Sequence, residues 1–145
     1  MSALGESFEK LATRLHRTLF HLSKGRVFGA AKGMPMVELT TTGRKTGAAR
    51  PVMVMAPVCE DDRVVVVASH NGAPRHPAWY LNLVANPEIA VTRAGRSGQP
   101  MTARTATGQE RAELWARIVE RSDAYAKAQT KTEREFPIVI LTPKR

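Results

Sequence analysis

Residues 88–107, EIAVTRAGRSGQPMTARTAT, decide the fold class, because they predict two strands joined by a tight turn. The strands are Glu88–Arg93 and residues 99–107, and the turn over residues 94–98 contains two glycines. A glycine-containing turn between two such segments is typical of a β-hairpin. The strands of a hairpin are antiparallel, so this segment argues against the all-parallel sheet of a doubly wound fold.

Four further segments have the alternation or the β-branched content that is typical of strands. They are residues 36–42, 50–58, 63–69 and 137–142. RVVVVAS at 63–69 has four consecutive valines, which predicts a strand that is buried on both faces. The sequence therefore predicts six strands.

At least two helices interrupt these strands, and two can be located. One begins at His76-Pro77, with proline in the first turn, and ends before Asn86. The other follows Thr107, which matches a capping box with Glu110 ahead of apolar residues at helical spacing. Short connections and few helical crossings favour an antiparallel β-barrel over a doubly wound sheet. We expect an α+β fold that is mainly β.

A separate amphipathic helix is predicted within residues 1–24, ahead of a single barrel domain over residues 25–145. Apolar residues recur there at steps of three and four: Phe8, Leu11, Leu15, Leu19 and Leu22. Basic residues cover much of the other face. We expect this helix to cover the core with its basic face in solvent, and peripheral binding to anionic lipid is the alternative.

The positive charge is the most unusual feature of the composition. The chain carries 22 basic and 13 acidic residues, a net charge of +9, and its first 50 residues are the most basic part. Such an excess indicates an anionic partner: nucleic acid, a membrane surface or a multiply anionic ligand. The basic residues match no known recognition motif, so we predict no nucleic-acid partner. A single cysteine and the absence of a signal peptide or an apolar span lead us to expect a cytoplasmic protein.

Sequence signatures of metal sites and of activated nucleophiles are missing from the chain. It contains no HExxH, CxxC, GxSxG or GxxxxGK[ST] motif. His70 and His76 have neither cysteine nor carboxylate between them, so we expect both to hydrogen-bond locally. The sequence therefore predicts no metal ion.

A basic loop between two predicted strands is the first candidate site. LTTTGRKTGAAR at 39–50 contains three cations, Arg44, Lys45 and Arg50, with Thr46 and Gly47 among them. Cations, a hydroxyl and turn amides can converge on one anion, so phosphate or carboxylate is the expected guest. A solvated basic hairpin with glycine for the turn is an equally consistent interpretation.

A polar segment after the valine-rich strand is the second candidate. SHNGAPRHP at 69–77 places Ser69 and Asn71 where the strand opens to solvent, and Trp79 follows on the next helix. We expect the polar pair to face a ligand. For Trp79 we favour packing in the core over an aromatic wall of the site.

These segments together resemble one family. LTTTGRKTGAAR at 39–50, VVVVASHNGAPRHPAWYLNLVAN at 64–86 and REFPIVILTP at 134–143 resemble the deazaflavin-dependent nitroreductases of the flavin/deazaflavin oxidoreductase superfamily, which occur in mycobacteria and other actinobacteria. The resemblance implies a split β-barrel related to the pyridoxamine-phosphate-oxidase fold. It also implies coenzyme F420, a deazaflavin with a phosphate and an oligoglutamate tail, with FMN as the alternative cofactor.

The activity that the resemblance implies is hydride transfer from reduced F420 to a hydrophobic acceptor. Quinones, nitroaromatics and activated alkenes are the acceptors of such proteins. Two alternatives stay open: a deazaflavin carrier without catalytic activity, and an FMN-dependent oxidoreductase on the same barrel. A homodimer is expected by resemblance alone.

The resemblance also assigns site residues. Those matching the family's cofactor positions are Arg44, Lys45, Thr46, Gly47, Arg50, Ala68, Ser69, His70, Asn71, Gly72, Trp79 and Asn82. The expected acceptor site contains Met53, Met55 and Tyr125. Tyr125 or Ser69 would hydrogen-bond to the accepting oxygen or supply a proton. Ser122 and Ala128 replace tyrosines found in nitroimidazole-reducing relatives, which weakens the case for that activity.

Overall fold

The computed structural model describes residues 30–31 and 34–144 of the 145-residue chain. The predicted amphipathic helix and the predicted boundary at residue 24 lie outside these residues. Both stay predictions.

Eight strands in the described residues form one antiparallel sheet. They are β1 (Ala30–Ala31), β2 (Met34–Thr42), β3 (Ala49–Met55), β4 (Val58–Cys59), β5 (Val64–Val67), β6 (Glu88–Arg93), β7 (Arg96–Thr105) and β8 (Ile138–Pro143). The strand order is β1-β2-β6-β7-β8-β5-β4, with β3 paired to β2. Because β3 also contacts β5, the sheet curls towards a barrel. The antiparallel barrel predicted from the hairpin is confirmed.

Three helices and one short turn complete the described fold. The helices are α1 (Ala78–Ala85), α2 (Gly108–Arg121) and α3 (Ala124–Gln129), and a 3₁₀ turn spans His70–Gly72. The first two helices confirm the sequence prediction. The sequence analysis did not locate α3, because six residues are too few to show a helical period.

The predicted strand over residues 50–58 is two strands. β3 ends at Met55, and the amide of Ala56 donates to the carbonyl of Pro35 at 2.8 Å. Pro57 follows and has no amide hydrogen, so the ladder with β2 cannot continue. The next residues form β4, which pairs with β5 instead.

The hairpin turn is tighter than predicted. Arg93 pairs directly with Arg96, which leaves Ala94 and Gly95 as the turn. Gly98 lies in β7, where its amide donates to Thr92 Oγ1 at 3.0 Å beside an irregularity in the register. The second glycine of the segment therefore marks this irregularity and is not part of the turn.

The predicted capping box is wrong. The Thr107 side chain makes no capping hydrogen bond at the start of α2. Glu110 instead pairs with Arg104 of β7, with Nη–Oε distances of 2.6 and 2.9 Å. A bidentate pair between a guanidinium and a carboxylate is stronger than a hydrogen bond from a backbone amide to a carboxylate. This difference explains why Glu110 pairs with Arg104 and not with the start of its helix.

β5 separates two hydrophobic cores. Val64 and Val66 face the core enclosed by the sheet, whereas Val65 and Val67 face a second core beneath α2 and α3. All four valines are buried, so the prediction of a strand buried on both faces is confirmed. This rigid strand leads directly into the 3₁₀ turn at its end.

Candidate active site

A cavity of about 780 Å³ lies among β2, β3, the 3₁₀ turn, α1 and α3. This volume is within the range of small-molecule sites. The predicted site residues that line it are Arg44, Lys45, Thr46, Arg50, Met53, Met55, Ser69, His70, Asn71, Trp79, Asn82 and Tyr125. The structure therefore brings the basic loop, the polar segment and the expected acceptor residues to one place.

Three predicted cofactor residues do not line the cavity. Gly47 lies in the exposed turn of the basic loop with φ +74°, a conformation that glycine adopts readily. Ala68 is fully buried, and its amide donates to the carbonyl of Pro137. Gly72 is buried against α3, where an added Cβ would lie 2.6 Å from the carbonyl oxygen of Ala128. None of the three is among the residues that line the cavity, and their contact with the ligand stays a prediction.

Asn82 supports the basic loop from below. Its side chain is buried on α1, and its Oδ1 accepts from the backbone amide and from Nη1 of Arg44, both at 3.2 Å. Its Nδ2 donates to Thr41 Oγ1 at 3.2 Å. These bonds use both ends of the Asn82 amide and hold the main chain and the guanidinium of Arg44 next to α1.

The basic loop is held in a compact turn. Gly43 donates to the carbonyl of Ala48, and Gly47 donates back to the carbonyl of Gly43, both at 2.8 Å. The hydroxyl of Thr46 accepts from Ala48 N at 3.2 Å and from Arg50 Nη2 at 3.4 Å. The loop is thus ordered by its own hydrogen bonds.

Three cations lie at this mouth without an acidic partner among the described residues. Arg44, Lys45 and Arg50 are exposed, and none of them forms an ion pair with a carboxylate of residues 34–144. Exposed basic side chains around one opening attract and hold anions. We call these three residues the cationic rim.

The wall after β5 has an uncommon backbone. His70 and Asn71 have φ values of 47° and 53°, and Gly72 has a φ of 80°. Side chains disfavour this left-handed region, and it occurs preferentially at functional sites. The His70 ring bonds the carbonyl of Arg75 through Nδ1 at 3.2 Å, which is the local hydrogen bond that the sequence predicted.

The other end of the cavity is apolar. Met36 and Met55 are cross-strand partners on β2 and β3, and Met53 lies two residues further along β3. Sequence reasoning missed Met36, although the alternation along its strand could have placed it beside Met55. Methionine adapts to flat ligands of varied shape.

Tyr125 presents a neutral hydroxyl to this apolar end. The residue is 6% exposed, and its hydroxyl forms no hydrogen bond within the described part of the chain. Burial raises the pKa of Tyr125 to about 12. The phenol therefore keeps its proton at neutral pH and can donate a hydrogen bond to a ligand oxygen.

Trp79 has both of the roles that the sequence left open. It is half-buried, packs against the core enclosed by the sheet, and lines the cavity. Its indole also meets Tyr80 edge-on, with ring centroids 6.5 Å apart. One face of the site is therefore continuous with the core.

Neither a cluster of metal ligands nor a membrane-spanning helix occurs in the described residues. No three His, Cys, Asp or Glu side chains come together as a metal site within residues 34–144. No helix of the described residues is long and apolar enough to cross a membrane.

Comparison with solved structures defines the class of protein. An F420-H2-dependent reductase (FDR-A) matches with a TM-score of 0.66 and 42% identity, over 74% of this chain and 93% of that one. A second structure, described as a domain-swapped dimer, matches with a TM-score of 0.70 and 36% identity, over 93% of this chain and 98% of that one. A Listeria innocua protein of the pyridoxamine 5'-phosphate oxidase type shares the fold at a TM-score of 0.51 with 10% identity, over 90% of this chain and 94% of that one. The fold is the split β-barrel.

Sequence comparison then identifies the family. The model of F420H(2)-dependent quinone reductases matches residues 12–143. An F420H(2)-dependent quinone reductase of Mycobacterium tuberculosis is 34% identical over 136 residues, which cover 89% of this chain and 88% of the relative. The chain belongs to the F420H(2)-dependent quinone reductase family. It is an oxidoreductase with coenzyme F420 as its cofactor, which confirms the cofactor implied by the resemblance.

Proposed function

We propose that the chain catalyses hydride transfer from reduced F420 to a quinone-type acceptor within the 780 Å³ cavity. One observation carries this proposal: a single cavity has an unneutralised cationic rim at one end and an apolar wall with a neutral phenol at the other. A ligand with an anionic tail and a flat conjugated ring matches the first two features. A hydrophobic hydride acceptor that carries an oxygen, such as a quinone, matches the neutral phenol.

The cationic rim fits the charged part of the cofactor. The tail of F420 carries a phosphate and several carboxylates, and these groups need cations that no protein acid already occupies. Arg44, Lys45 and Arg50 meet that requirement, and the bonds from Asn82 hold Arg44 in place. Arginine supplies planar paired donors and lysine a compact charge, so the rim can hold both kinds of anion.

The walls would orient the ring and exclude water. When bound, the reduced deazaflavin supplies the hydride. The 3₁₀ turn and Trp79 would contact the ring system, while Met53 and Met55 would hold the acceptor against it. Alignment of the two partners in a water-poor site is the protein's main contribution to the rate.

Tyr125 would complete the reduction at the acceptor. As the hydride arrives, negative charge develops on the acceptor oxygen, and the Tyr125 hydroxyl can donate a hydrogen bond to it or transfer its proton. The raised pKa of Tyr125, about 12, keeps this donor protonated between uses. Ser69, half-buried in the same lining, is the second donor that we propose.

A comparison of reductants tests this proposal. The chain is supplied with reduced F420, NADH or reduced FMN in parallel, with menadione as the acceptor. Oxidation with reduced F420 alone is expected. Turnover with reduced FMN would favour the FMN alternative, and tight F420 binding without turnover of menadione, nitro compounds or enones would identify a carrier.

The acceptor range follows from the apolar wall. Flexible methionines admit ring systems of several shapes, so we propose that nitroaromatics and activated alkenes are slower substrates than quinones. The positions of Ser122 and Ala128 carry no aromatic ring that could stack on a nitroimidazole. Relative kcat/KM values for menadione and a nitroimidazole check this order.

Two finer properties are also proposed. We propose a homodimer, supported by the matching structure that is described as a domain-swapped dimer, and light scattering should give about twice 15.9 kDa. We propose peripheral binding to anionic membranes through residues 1–24, supported by their apolar stripe and basic face. Sedimentation with anionic vesicles, lost when residues 1–24 are deleted, checks it.

A further inference from the structure

We propose that Arg134 is a positioning residue, which holds the strained wall of the cavity at residues 68–73 in its ligand-ready shape. This inference rests on the proposed function, because the same wall would contact the deazaflavin ring. Arg134 lies outside the cavity lining. Its effect on the reaction is therefore exerted through the wall.

The guanidinium of Arg134 binds both ends of this wall. Nη1 donates to the carbonyl of Ala68 at 3.0 Å, and Nη2 donates to the carbonyl of Ser69 at 2.8 Å. Nε donates to the carbonyl of Ala73 at 3.1 Å. One rigid planar group therefore fixes the chain just before and just after the 3₁₀ turn.

Two more contacts hold the guanidinium itself. Nη1 lies 2.9 Å from Nδ1 of His76, and the guanidinium stacks on the Phe136 ring at 4.9 Å. Arginine can only donate, so this bond requires an unprotonated Nδ1 and places the His76 proton on Nε2. No carboxylate of residues 34–144 pairs with Arg134, so backbone carbonyls carry most of its polar contacts.

The wall needs such a restraint because its backbone is costly. His70 and Asn71 both have left-handed conformations, which side chains disfavour, His more than Asn. The turn contributes two internal bonds, from Gly72 N to Ser69 O and from Ala73 N to His70 O, both at 2.9 Å. Arg134 holds Ser69, the acceptor of the first bond, and Ala73, the donor of the second. Without it, the turn can relax towards ordinary backbone angles.

Substitutions of Arg134 test the proposal with two readouts. Arg134→Lys keeps the charge but cannot donate in three fixed directions, and Arg134→Gln also removes the charge. The matched control is Arg111→Lys, because Arg111 likewise donates to a carbonyl of this C-terminal segment, Phe136 O at 2.8 Å, but its hydrogen bond and its ion pair with Glu135 do not involve the wall at residues 68–73.

The first readout is hydrogen exchange in the ligand-free protein. We expect the amides of Gly72 and Ala73 to exchange at least about tenfold faster in Arg134→Lys, because local opening becomes easier. The amide of Ala106, which donates to Ile138 O at 2.8 Å, is the internal reference and should not change. Arg111→Lys should leave all three amides as they are.

The second readout separates positioning from binding of the tail. We expect Arg134→Lys to lower kcat about tenfold or more while KM for the acceptor changes little. Lys45→Ala, in contrast, should weaken F420 binding with little effect on kcat. A general loss of stability would not lower kcat in one variant and weaken only F420 binding in the other.

Either of two results would overturn the proposed role of Arg134. Unchanged exchange of Gly72 and Ala73 in Arg134→Lys would do so, as would an equal loss of kcat in Arg111→Lys. If Arg134→Gln does not fold, Arg134→Lys still decides. If the unaltered protein neither binds nor oxidises reduced F420, the proposed function fails, whereas the exchange readout still judges the structural role of Arg134.

Discussion

At the scale of single residues, Asn82 shows how a side chain of the site can act by holding another residue in place. The sequence assigned it to the cofactor, but both ends of its amide are bonded to Arg44 and Thr41. These partners lie 38 and 41 residues away along the chain, so no local pattern could have indicated them. The structure therefore predicts an indirect effect on the cationic rim.

Replacement of Asn82 by alanine should affect both stability and cofactor binding. The substitution removes the acceptor of the Arg44 amide and the donor to Thr41 Oγ1, so we expect a loss of about 1–3 kcal/mol in the free energy of unfolding. F420 affinity should fall because Arg44 is no longer held. Asn86→Ala is the matched control: it directly follows the same helix, is exposed, and its side chain accepts from the Glu88 amide at 3.3 Å. Equal effects of the two substitutions would contradict the support role; urea unfolding and fluorescence titration measure them.

The hydroxyl of Tyr125 gives a second prediction at this scale. Because it has no partner within the described residues, Tyr125→Phe should leave the stability and F420 affinity nearly unchanged. We expect kcat to fall about tenfold to a hundredfold, the loss of one hydrogen bond to developing charge. The pH profile of kcat from 6 to 9 should show no ionisation of Tyr125, since its pKa is about 12. A fully active Tyr125→Phe variant would transfer the donor role to Ser69.

At the scale of elements, the packing of α3 against the 3₁₀ turn joins the two ends of the site. Tyr125 and Ala128 are on this helix, one turn apart, and the carbonyl of Ala128 faces Gly72. The turn thus has the strained residues on its cavity side and glycine at its contact with the helix. A close approach of this kind requires glycine twice over, for φ and for space.

A pair of glycine substitutions isolates this contact. Gly72 and Gly95 have nearly equal φ values, +80° and +77°, but an added Cβ meets the Ala128 carbonyl at 2.6 Å only at Gly72 and nothing within 4 Å at Gly95. Backbone strain is therefore common to Gly72→Ala and Gly95→Ala. We expect Gly72→Ala to cost about 1–3 kcal/mol more in thermal unfolding and to lower F420 affinity. Equal losses of stability in the two variants would show that α3 shifts readily to make room for the added methyl group.

Elements with a strong local pattern could be predicted from the sequence. The hairpin, the valine-rich strand and α1 follow from alternation, apolar content and proline placement within a few residues. Competition between distant groups could not be predicted. Glu110 pairs with Arg104 instead of the start of its own helix, and the residues after Pro57 pair with β5 instead of β2.

At the scale of the whole molecule, the net charge of +9 comes from an excess of basic residues. These residues differ in whether acidic side chains or backbone carbonyls bind them. Arg104, Arg111 and Arg63 pair with acids, and Arg134 binds backbone carbonyls. Within the described residues the cationic rim has neither kind of partner, and Arg44 and Arg50 bond the neutral side chains of Asn82 and Thr46. Composition predicted an anionic ligand, but the tertiary structure was needed to separate structural cations from binding ones.

The coupling of Arg134 and His76 makes stability depend on pH. Burial and the Arg134 cation lower the pKa of His76 from its usual 6.5. Below about pH 6.5 the unfolded chain takes up this proton while the folded protein resists it, so stability decreases as the pH falls. We expect His76→Asn, whose Oδ1 can still accept from Arg134, to lose less stability than the unaltered protein between pH 7.5 and 5.5. Parallel losses in urea unfolding would contradict this linkage.

The central claim is that the cationic rim holds the anionic tail of F420 while the walls hold its ring. Fluorescence titration with F420 and with the corresponding deazaflavin nucleoside, which lacks the phosphate and tail, measures the two parts separately. The account predicts saturable binding of both ligands, a much lower Kd for F420, and loss of that difference when Arg44, Lys45 and Arg50 are all replaced by alanine. Equal affinity of the unaltered protein for the two ligands would contradict it.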